Sequence, residues 1–288
     1  MKKIVQRLLT VRVASLFIFS VIILIPLLSI LSTSFKTMKQ YVMSPLQLPI
    51  PATVDNYIHL FVENNLHIYF KNSIIFTFFT VFITIVFSSM VAFACVRLGG
   101  WKSFVVFGVF VLGMLIPAQV NMIPLYGLVV KLENFVASVG WIPDIKFRDT
   151  LYGLIIIKTS VLLSLSIFIL TGFMKTIPKE LFEAAAVDGS TEGWMFYRVA
   201  IPLSLPAIAS SSIFLCVIVW NDLLYSLLFT GEKAKTLTMA LLMFRGEYES
   251  DYPMLFSGVV SASIPMVVAY LFLQRWFIAG ITSGSVKG

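Results

Sequence analysis

Four carboxylates lie in one short polar segment between two long apolar stretches of the chain. They are Glu180, Glu183, Asp188 and Glu192, and Gly189 follows the third of them. Ala184, Ala185 and Ala186 lie among them, and small side chains on one face let another surface approach closely. The residues alone leave two interpretations open, a docking site for another chain or a solvated loop.

The same segment has the local signals of two short helices joined by a turn. Pro178 suits the first turn of a helix, and strong helix formers follow up to Val187. Gly189 adopts positive φ at low cost, which favours a turn there, and a second helix can run to Tyr197. We therefore predict a helix–turn–helix hairpin over residues 178–197. Its apolar face is predicted to consist of Phe182, Ala185 and Ala186.

Polar residues within the apolar stretches are candidates for lining a solute path, because burying them in lipid without a function is costly. Lys158 has two interpretations: its ammonium snorkels to the outer interface, or it lines a cavity. A helix broken near Pro117 and Pro124 could also line a cavity. The candidate path residues are Gln119, Asn121, Lys158, Asn221 and Asp222.

The sequence has no recognisable catalytic or metal-binding pattern. It contains no Ser/His/Asp set, no HExxH and no GxxxxGK[ST] phosphate loop. The spacing of His59 and His67 matches no zinc-ligand pattern, and Cys95 and Cys216 lie apart in apolar stretches. We therefore predict that the chain is not an enzyme and binds no metal, and that energy for any active process comes from another chain.

Composition indicates that lipid is the solvent for most of the chain. The sequence is 59% hydrophobic and 12% charged, against about 25% charged in an average soluble protein. The net charge of +7 comes from basic residues near the ends of apolar runs, which argues against nucleic-acid binding. Since a span needs about 20 apolar residues, six runs qualify. The predicted spans are residues 13–35, 73–96, 103–129, 151–173, 200–229 and 254–278.

The predicted fold is therefore all-α integral membrane, with six transmembrane helices and the hairpin between the fourth and fifth. Basic residues mark the cytoplasmic side of a membrane protein. Lys2, Lys3, Arg7 and Arg12 precede an apolar first run that is too long for a signal peptide. We therefore predict a multi-pass protein of the cytoplasmic membrane, with both termini and the hairpin in the cytoplasm.

The hairpin resembles the EAA motif of importer-type ABC transporter permeases. The family pattern is EAA, three residues, Gly, nine residues and then Ile-x-Leu-Pro, and the spacing agrees throughout. The chain end and a Trp-Asn pair in the fifth run are similar to the carbohydrate branch, in particular to the maltose-type second permease subunit. The matching residues are Glu183-Ala184-Ala185, Gly189, Val199-x-Ile201-Pro202, Trp220-Asn221 and Gly280-x-Thr282-x-Gly284-x-Val286-Lys287-Gly288.

The resemblance implies a single ABC transporter transmembrane domain over residues 1–288 that imports a di- or oligosaccharide. Its partners would be a second homologous permease, two ABC ATPase subunits that bind ATP and Mg, and an extracytoplasmic solute-binding protein. The hairpin would be the coupling helix that enters a cleft on an ATPase, with the chain end inserted between the two ATPases. The implied ATPase-coupling residues are Glu183, Ala184, Ala185, Asp188 and Gly189, and the implied tail contacts are Gly284, Val286, Lys287 and Gly288.

Two other function classes compete with a carbohydrate importer. A permease of the same superfamily for another solute, such as glycerol phosphate, would have the same motif and tail. A secondary transporter or channel would usually have internal repeats or paired acids within the membrane, and the sequence has no visible repeat. Sugar sites use amides, carboxylates and aromatic faces, but the resemblance allows the partner permease to hold most sugar contacts.

Overall fold

The computed structural model describes residues 2–139, 146–243 and 251–285, with the side chains of all of these except 2–11, 233, 273 and 275–285. Within those ranges the chain is helical and contains no strand. The helices are α1 (Lys2–Ser34), α2 (Met38–Met43), α3 (Asp55–Ile58), α4 (Leu66–Leu98), α5 (Gly100–Met114), α6 (Ala118–Val139), α7 (Leu151–Met174), α8 (Lys179–Val187), α9 (Glu192–Met195), α10 (Ile201–Trp220), α11 (Leu224–Phe229), α12 (Leu237–Met243) and α13 (Tyr252–Ser285).

Six helical segments of the described chain are long and apolar enough to cross a membrane, which confirms the predicted number of spans. Helices suit this role because they satisfy every backbone hydrogen bond within the segment. The six segments are Arg12–Ser34, Leu66–Leu98, Ala118–Val139, Leu151–Met174, Glu192–Trp220 and Tyr252–Phe272.

The third predicted span, residues 103–129, is not one helix. Helix α5 ends at Met114, and α6 begins only at Ala118. Pro117 lies in the gap, and a proline disfavours helical backbone at the residue before it. The spanning segment is therefore α6, and α5 is a shorter apolar helix ahead of it. Pro124, the second expected interruption, lies inside α6 without ending it.

The fifth predicted span, residues 200–229, is also divided. Helix α10 ends at Trp220, and the Asn221 side-chain amide donates a 2.9 Å hydrogen bond to the Val217 carbonyl, one of the last of the helix. After three residues the chain resumes as α11. Asparagine side chains compete for backbone hydrogen bonds in this way, which explains why the helix ends at the polar pair inside an apolar run.

The chain divides into two compact units, one of residues 1–67 with 240–265 and the other of residues 68–239 with 266–288. The prediction of a single domain over 1–288 stays a prediction.

In the first unit, polar contacts gather at the end of α1 and just after it. The Ser34 carbonyl accepts hydrogen bonds from Asn56 Nδ2 at 2.9 Å and Ser257 Oγ at 2.8 Å. Lys36 Nζ donates to the Pro45 carbonyl at 2.7 Å.

Both histidines belong to the first unit and have ordinary partners. His59 Nδ1 lies 2.8 Å from Glu63 Oε1, and the hydrogen bond to that carboxylate raises the pKa of the imidazole. His67 Nδ1 lies 3.2 Å from the Phe61 carbonyl. No cluster of three or more His, Cys, Asp or Glu occurs within the described ranges.

The second unit holds two apolar cores built around α7, whose buried side chains run along much of its length. Helices α5, α10 and α11 pack against α7. Gly113 lets α5 approach closely, since an added Cβ there would lie 3.1 Å from Ser164 Oγ. One core includes Phe76, Leu154, Leu162, Leu215, Tyr225 and Phe229. The other includes Phe93, Leu170, Met174, Phe182, Met195 and Ala200.

Candidate functional site

The predicted hairpin is present as α8 and α9, and we call residues 179–195 the α8–α9 hairpin. Its first helix has two distinct faces. Phe182 and Ala185 are buried, while Glu183 and Ala184 are exposed. Helical spacing explains the division, because residues three and four apart share a face. Ala186, expected on the apolar face, is exposed.

Ala185 is one of the residues that the resemblance implies for ATPase coupling. It is buried with Phe182 in a core of this chain, so the structure favours a different role for its small side chain, which is to let α8 lie close to the membrane helices. The surface left for a partner is formed by the other side of α8. Its exposed residues are Glu180, Glu183, Ala184 and Val187.

The turn of the hairpin is a Schellman motif. The Ser190 amide donates to the Ala185 carbonyl and the Gly189 amide to the Ala186 carbonyl, both at 3.0 Å. Gly189 has φ +81°, the left-handed region that glycine adopts without a steric penalty. The exposed Asp188 is the last residue before this turn. The angle between the two helices is therefore set by backbone hydrogen bonds and one glycine.

Gly189→Ala is expected to destabilise the second unit by about 1–2 kcal/mol, because alanine pays the left-handed backbone penalty. Steric clash adds nothing, since an added Cβ would meet no atom within 4 Å. Gly193→Ala is the matched control: Gly193 lies in α9, also in open space and without positive φ, so alanine should stabilise by about 0.5–1 kcal/mol. The free energy of unfolding in detergent measures both. Equal signs for the two variants would contradict this account of the turn.

The second half of the hairpin continues directly into the fifth span. Thr191 caps α9, with its side-chain oxygen accepting from the Trp194 amide at 3.3 Å. A π-helical turn, Phe196–Ala200, then joins α9 to α10. Pro202 is the second residue of α10 and donates no N–H to the turn before it. Residues Glu192–Trp220 therefore form one helical segment without a loop.

A bidentate ion pair between Arg97 and Glu192 joins α4 to the hairpin. Arg97 Nε lies 2.9 Å from Glu192 Oε2, and Arg97 Nη2 lies 2.7 Å from Glu192 Oε1. The same guanidinium lies 5.8 Å from the centre of the Phe182 ring. Two parallel hydrogen bonds hold a guanidinium and a carboxylate in one orientation. Sequence reasoning missed this pair, whose partners are far apart along the chain.

Two of the predicted path residues form a buried ion pair. Lys158 Nζ on α7 lies 2.5 Å from Asp222 Oδ1, in the gap between α10 and α11. Their side chains are only 7% and 6% exposed. The structure therefore contradicts the snorkelling interpretation of Lys158, because the ammonium is neutralised inside the chain.

Further contacts organise the chain around this pair. The ammonium of Lys158 lies 4.4 Å from the centre of the Tyr225 ring. Asp222 Oδ2 accepts from the Ser226 amide at 3.2 Å, and the Asp222 carbonyl accepts from Thr238 Oγ1 at 2.7 Å. Asp222 therefore adds its side-chain and backbone hydrogen bonds to that of Asn221 at the break in the fifth span.

The other predicted path residues lie at the two helix breaks. Gln119 is exposed and Asn121 half-buried, both on the first turn of α6 just after Pro117. Asn221 is exposed at the end of α10. A role for Gln119, Asn121, Lys158, Asn221 and Asp222 in a solute path stays a prediction.

A second buried acid was not singled out from the sequence. Glu133 on α6 is 7% exposed and accepts from the Arg148 amide at 2.7 Å and from Arg148 Nε at 2.6 Å. Arg148 Nη1 also donates to Tyr126 at 3.2 Å. An acid within an apolar helix, followed by a nearby arginine, was the available signal. The pair ties α6 to the chain entering α7.

Comparison of the sequence with known proteins identifies the family of this chain. The family model described as binding-protein-dependent transport system inner membrane component matches residues 84–282, which include the hairpin and the Lys158–Asp222 pair. The chain belongs to this family. The resemblance inferred from the EAA motif is confirmed, and the chain is a multi-pass permease subunit of a class that is not itself enzymatic.

Relatives of this inner membrane component are similar over nearly their full length. The melibiose/raffinose/stachyose import permease protein MelC of Bacillus subtilis is 33% identical over 266 residues, covering 92% of this chain and 91% of MelC. The trehalose transport system permease protein SugB of Mycobacterium tuberculosis is 33% identical over 268 residues, covering 92% and 93% of the two chains.

Solved structures share the fold of this inner membrane component. A chain from a bacterial ABC transporter involved in import of the acidic polysaccharide alginate superposes with a TM-score of 0.79 at 19% identity, covering 93% of this chain and 95% of that one. The alginate transporter in complex with a pentasaccharide-bound periplasmic protein gives a TM-score of 0.70 at 16% identity. At these identities the likeness concerns the fold.

The predicted tail contacts fall at the end of the described chain. Gly284 lies in the last turns of α13. Val286, Lys287 and Gly288 lie outside the described residues. Their insertion between two ATPases stays a prediction.

Proposed function

We propose that this membrane component carries a carbohydrate, a di- or oligosaccharide, as one permease subunit of an ATP-driven importer. The family match supports binding-protein-dependent transport. Relatives named for melibiose, raffinose and stachyose, for trehalose and for arabinooligosaccharides support the substrate class. Their range also means that similarity favours no one sugar.

The proposed assembly pairs this chain with a second, homologous permease, two ABC ATPases and an extracytoplasmic binding protein. ATP and Mg²⁺ bind to the ATPases, and this chain holds no cofactor of its own. Both of its termini and the α8–α9 hairpin face the cytoplasm. Closure of the ATPases on ATP moves the hairpins, and the hairpins shift the membrane helices between outward-open and inward-open arrangements, an equilibrium biased by nucleotide.

One observation carries the coupling role, the division of α8 into a buried and an exposed face. Phe182 and Ala185 fasten α8 to the chain's own core. Glu183 and Ala184 remain exposed on the other side, so a carboxylate and a small residue are presented together. A small neighbour lets another surface approach closely, and the carboxylate can then accept hydrogen bonds from an arginine of the ATPase. A solvated loop would need neither feature.

The function is tested by purifying the chain from its native host in mild detergent and identifying the proteins that accompany it. We expect a second permease and an ATPase, and stimulation of ATP hydrolysis by the binding protein loaded with one sugar of a panel. The same binding protein without sugar is the control. Stimulation by glycerol phosphate alone would move the chain to the alternative solute class. Purification of the chain alone, with solute movement that needs no ATP, would contradict the proposal.

A further inference from the structure

Helix α4 is not adjacent in sequence to the α8–α9 hairpin, whose neighbours along the chain are α7 and α10. Its last turn nevertheless holds both hairpin helices. Arg97 binds Glu192 at the first residue of α9 through two hydrogen bonds of 2.9 and 2.7 Å, and its guanidinium lies 5.8 Å from the Phe182 ring of α8. One side chain of α4 therefore contacts both helices of the hairpin.

One helical turn before Arg97, a second side chain of α4 repeats the connection. The Phe93 ring lies 6.0 Å from that of Phe182 and 5.4 Å from that of Phe196, which follows α9. Phe93 and Phe182 are both buried. Aromatic pairs at such separations contribute packing energy beyond burial. The apolar contact joins α4 to the hairpin, and the ion pair beside it fixes the orientation of that contact.

We propose that Arg97 and Glu192 are positioning residues that make α4 move with the hairpin, so that closure of the ATPases reaches a third membrane helix besides α7 and α10. The inference rests on the proposed function and adds a specific transmission route to it. Helix α4 runs the length of a membrane span and ends at this contact, so a movement passed on by the pair would reach across the membrane.

Stability alone does not account for this pair. The side chains of Arg97 and Glu192 are 28% and 60% exposed, and exposed ion pairs contribute little to folding. What the pair supplies is geometry, because a planar guanidinium engages a carboxylate with two parallel bonds whereas an ammonium cannot. Arg97→Lys should therefore keep the charge but lose the fixed orientation.

The test uses the complete complex reconstituted in liposomes, with Arg97→Ala, Arg97→Lys and Glu192→Ala in this chain. Sugar uptake and ATP hydrolysis are measured together, and the ratio of sugar imported to ATP hydrolysed is compared at equal amounts of complex. For both alanine variants we expect this ratio to fall at least about tenfold, the equivalent of losing ~1.4 kcal/mol of coupling. Arg97→Lys should lie between these and the unsubstituted complex.

Lys102→Ala is the control, because Lys102 is an exposed cation on the neighbouring first turn of α5 and should leave the ratio unchanged. The double variant Arg97→Glu with Glu192→Arg restores an ion pair with the two charges exchanged between α4 and α9. It should recover at least about threefold over either single reversal, since double-mutant coupling reports the interaction itself.

Three results would overturn the proposal. An unchanged ratio in Arg97→Ala would show that α4 does not depend on the pair. A smaller yield of complex with a normal ratio would show that the pair only stabilises the fold. Absence of ATP-driven uptake by the unsubstituted complex would overturn the proposed function and this inference with it. That result is seen without any variant, so it is distinguishable from failure of the inference alone.

Discussion

Glu183→Lys is expected to abolish ATP-driven sugar uptake while leaving the membrane helices folded. Glu183 is exposed on α8, opposite the buried face, so the substitution leaves the chain's own core intact. At an interface, losing one member of a hydrogen-bonded charge pair costs about 2–5 kcal/mol, and a lysine adds repulsion against an arginine. Uptake should therefore fall by at least roughly thirtyfold, as 2 kcal/mol corresponds to that ratio.

The measurement is uptake of radiolabelled sugar by cells that produce equal amounts of the variant in their membranes. Glu180→Lys, the same change one turn earlier on the same exposed face but outside the EAA motif, is the matched comparison and should lose much less uptake than Glu183→Lys. Normal uptake by Glu183→Lys would refute the coupling role of this residue. An equal loss in both variants would mean that the general charge of the hairpin matters and that Glu183 has no special position.

Lys158→Met is expected to lower the free energy of unfolding by about 3–5 kcal/mol, because it leaves the Asp222 carboxylate buried without its counter-charge. Asp222→Leu should lower it by a similar amount, because the Lys158 ammonium is then buried without its counter-charge. Since Asp222 Oδ2 also accepts from the Ser226 amide, loss of the carboxylate should in addition loosen the start of α11, while the bond from Thr238 to the Asp222 backbone carbonyl remains. Unfolding of the purified chain in detergent measures these changes.

The double variant Lys158→Met with Asp222→Leu distinguishes a lost ion pair from lost packing. Replacing both charges with apolar groups of similar volume is often neutral or stabilising, so the double variant should recover most of the stability that either single variant loses. Lys131→Met, an exposed lysine on α6, should change stability by less than about 0.5 kcal/mol. A double variant as unstable as the sum of its single variants would contradict the pairing.

Hydropathy and helix chemistry were enough to predict the membrane helices but only one of their two interruptions. Six apolar runs gave six spans because each run meets the length that lipid requires. The break at Pro117 was expected from the proline, whereas the break at Asn221 escaped prediction because apolar content stays high across it. Proline can also remain inside a helix, as Pro124 does in α6, so its presence alone does not decide where a helix ends.

The hairpin was predictable because its information is local. Helix formers, a glycine turn and the spacing of the EAA motif lie within one short segment, and α8 and α9 form there. The contacts that fix the hairpin depend on residues distant in sequence. Arg97 and Glu192 meet only when α4 and α9 are packed, and nothing near either residue indicates the other. Lys158 and Asp222 were each recognisable as unusual, but their pairing was not.

The π-helical turn between α9 and α10 sets the rotational phase of the fifth span. In it the Ile201 amide bonds to the Phe196 carbonyl, five residues back, so this turn accommodates one residue more than an α-helical turn. One residue corresponds to about 100° of rotation around a helix axis. Side chains of α9 and α10 that would share a stripe on a continuous α-helix therefore face different directions. The side of α10 that meets α7 and the direction in which α9 presents Glu192 are therefore rotated relative to each other by this turn.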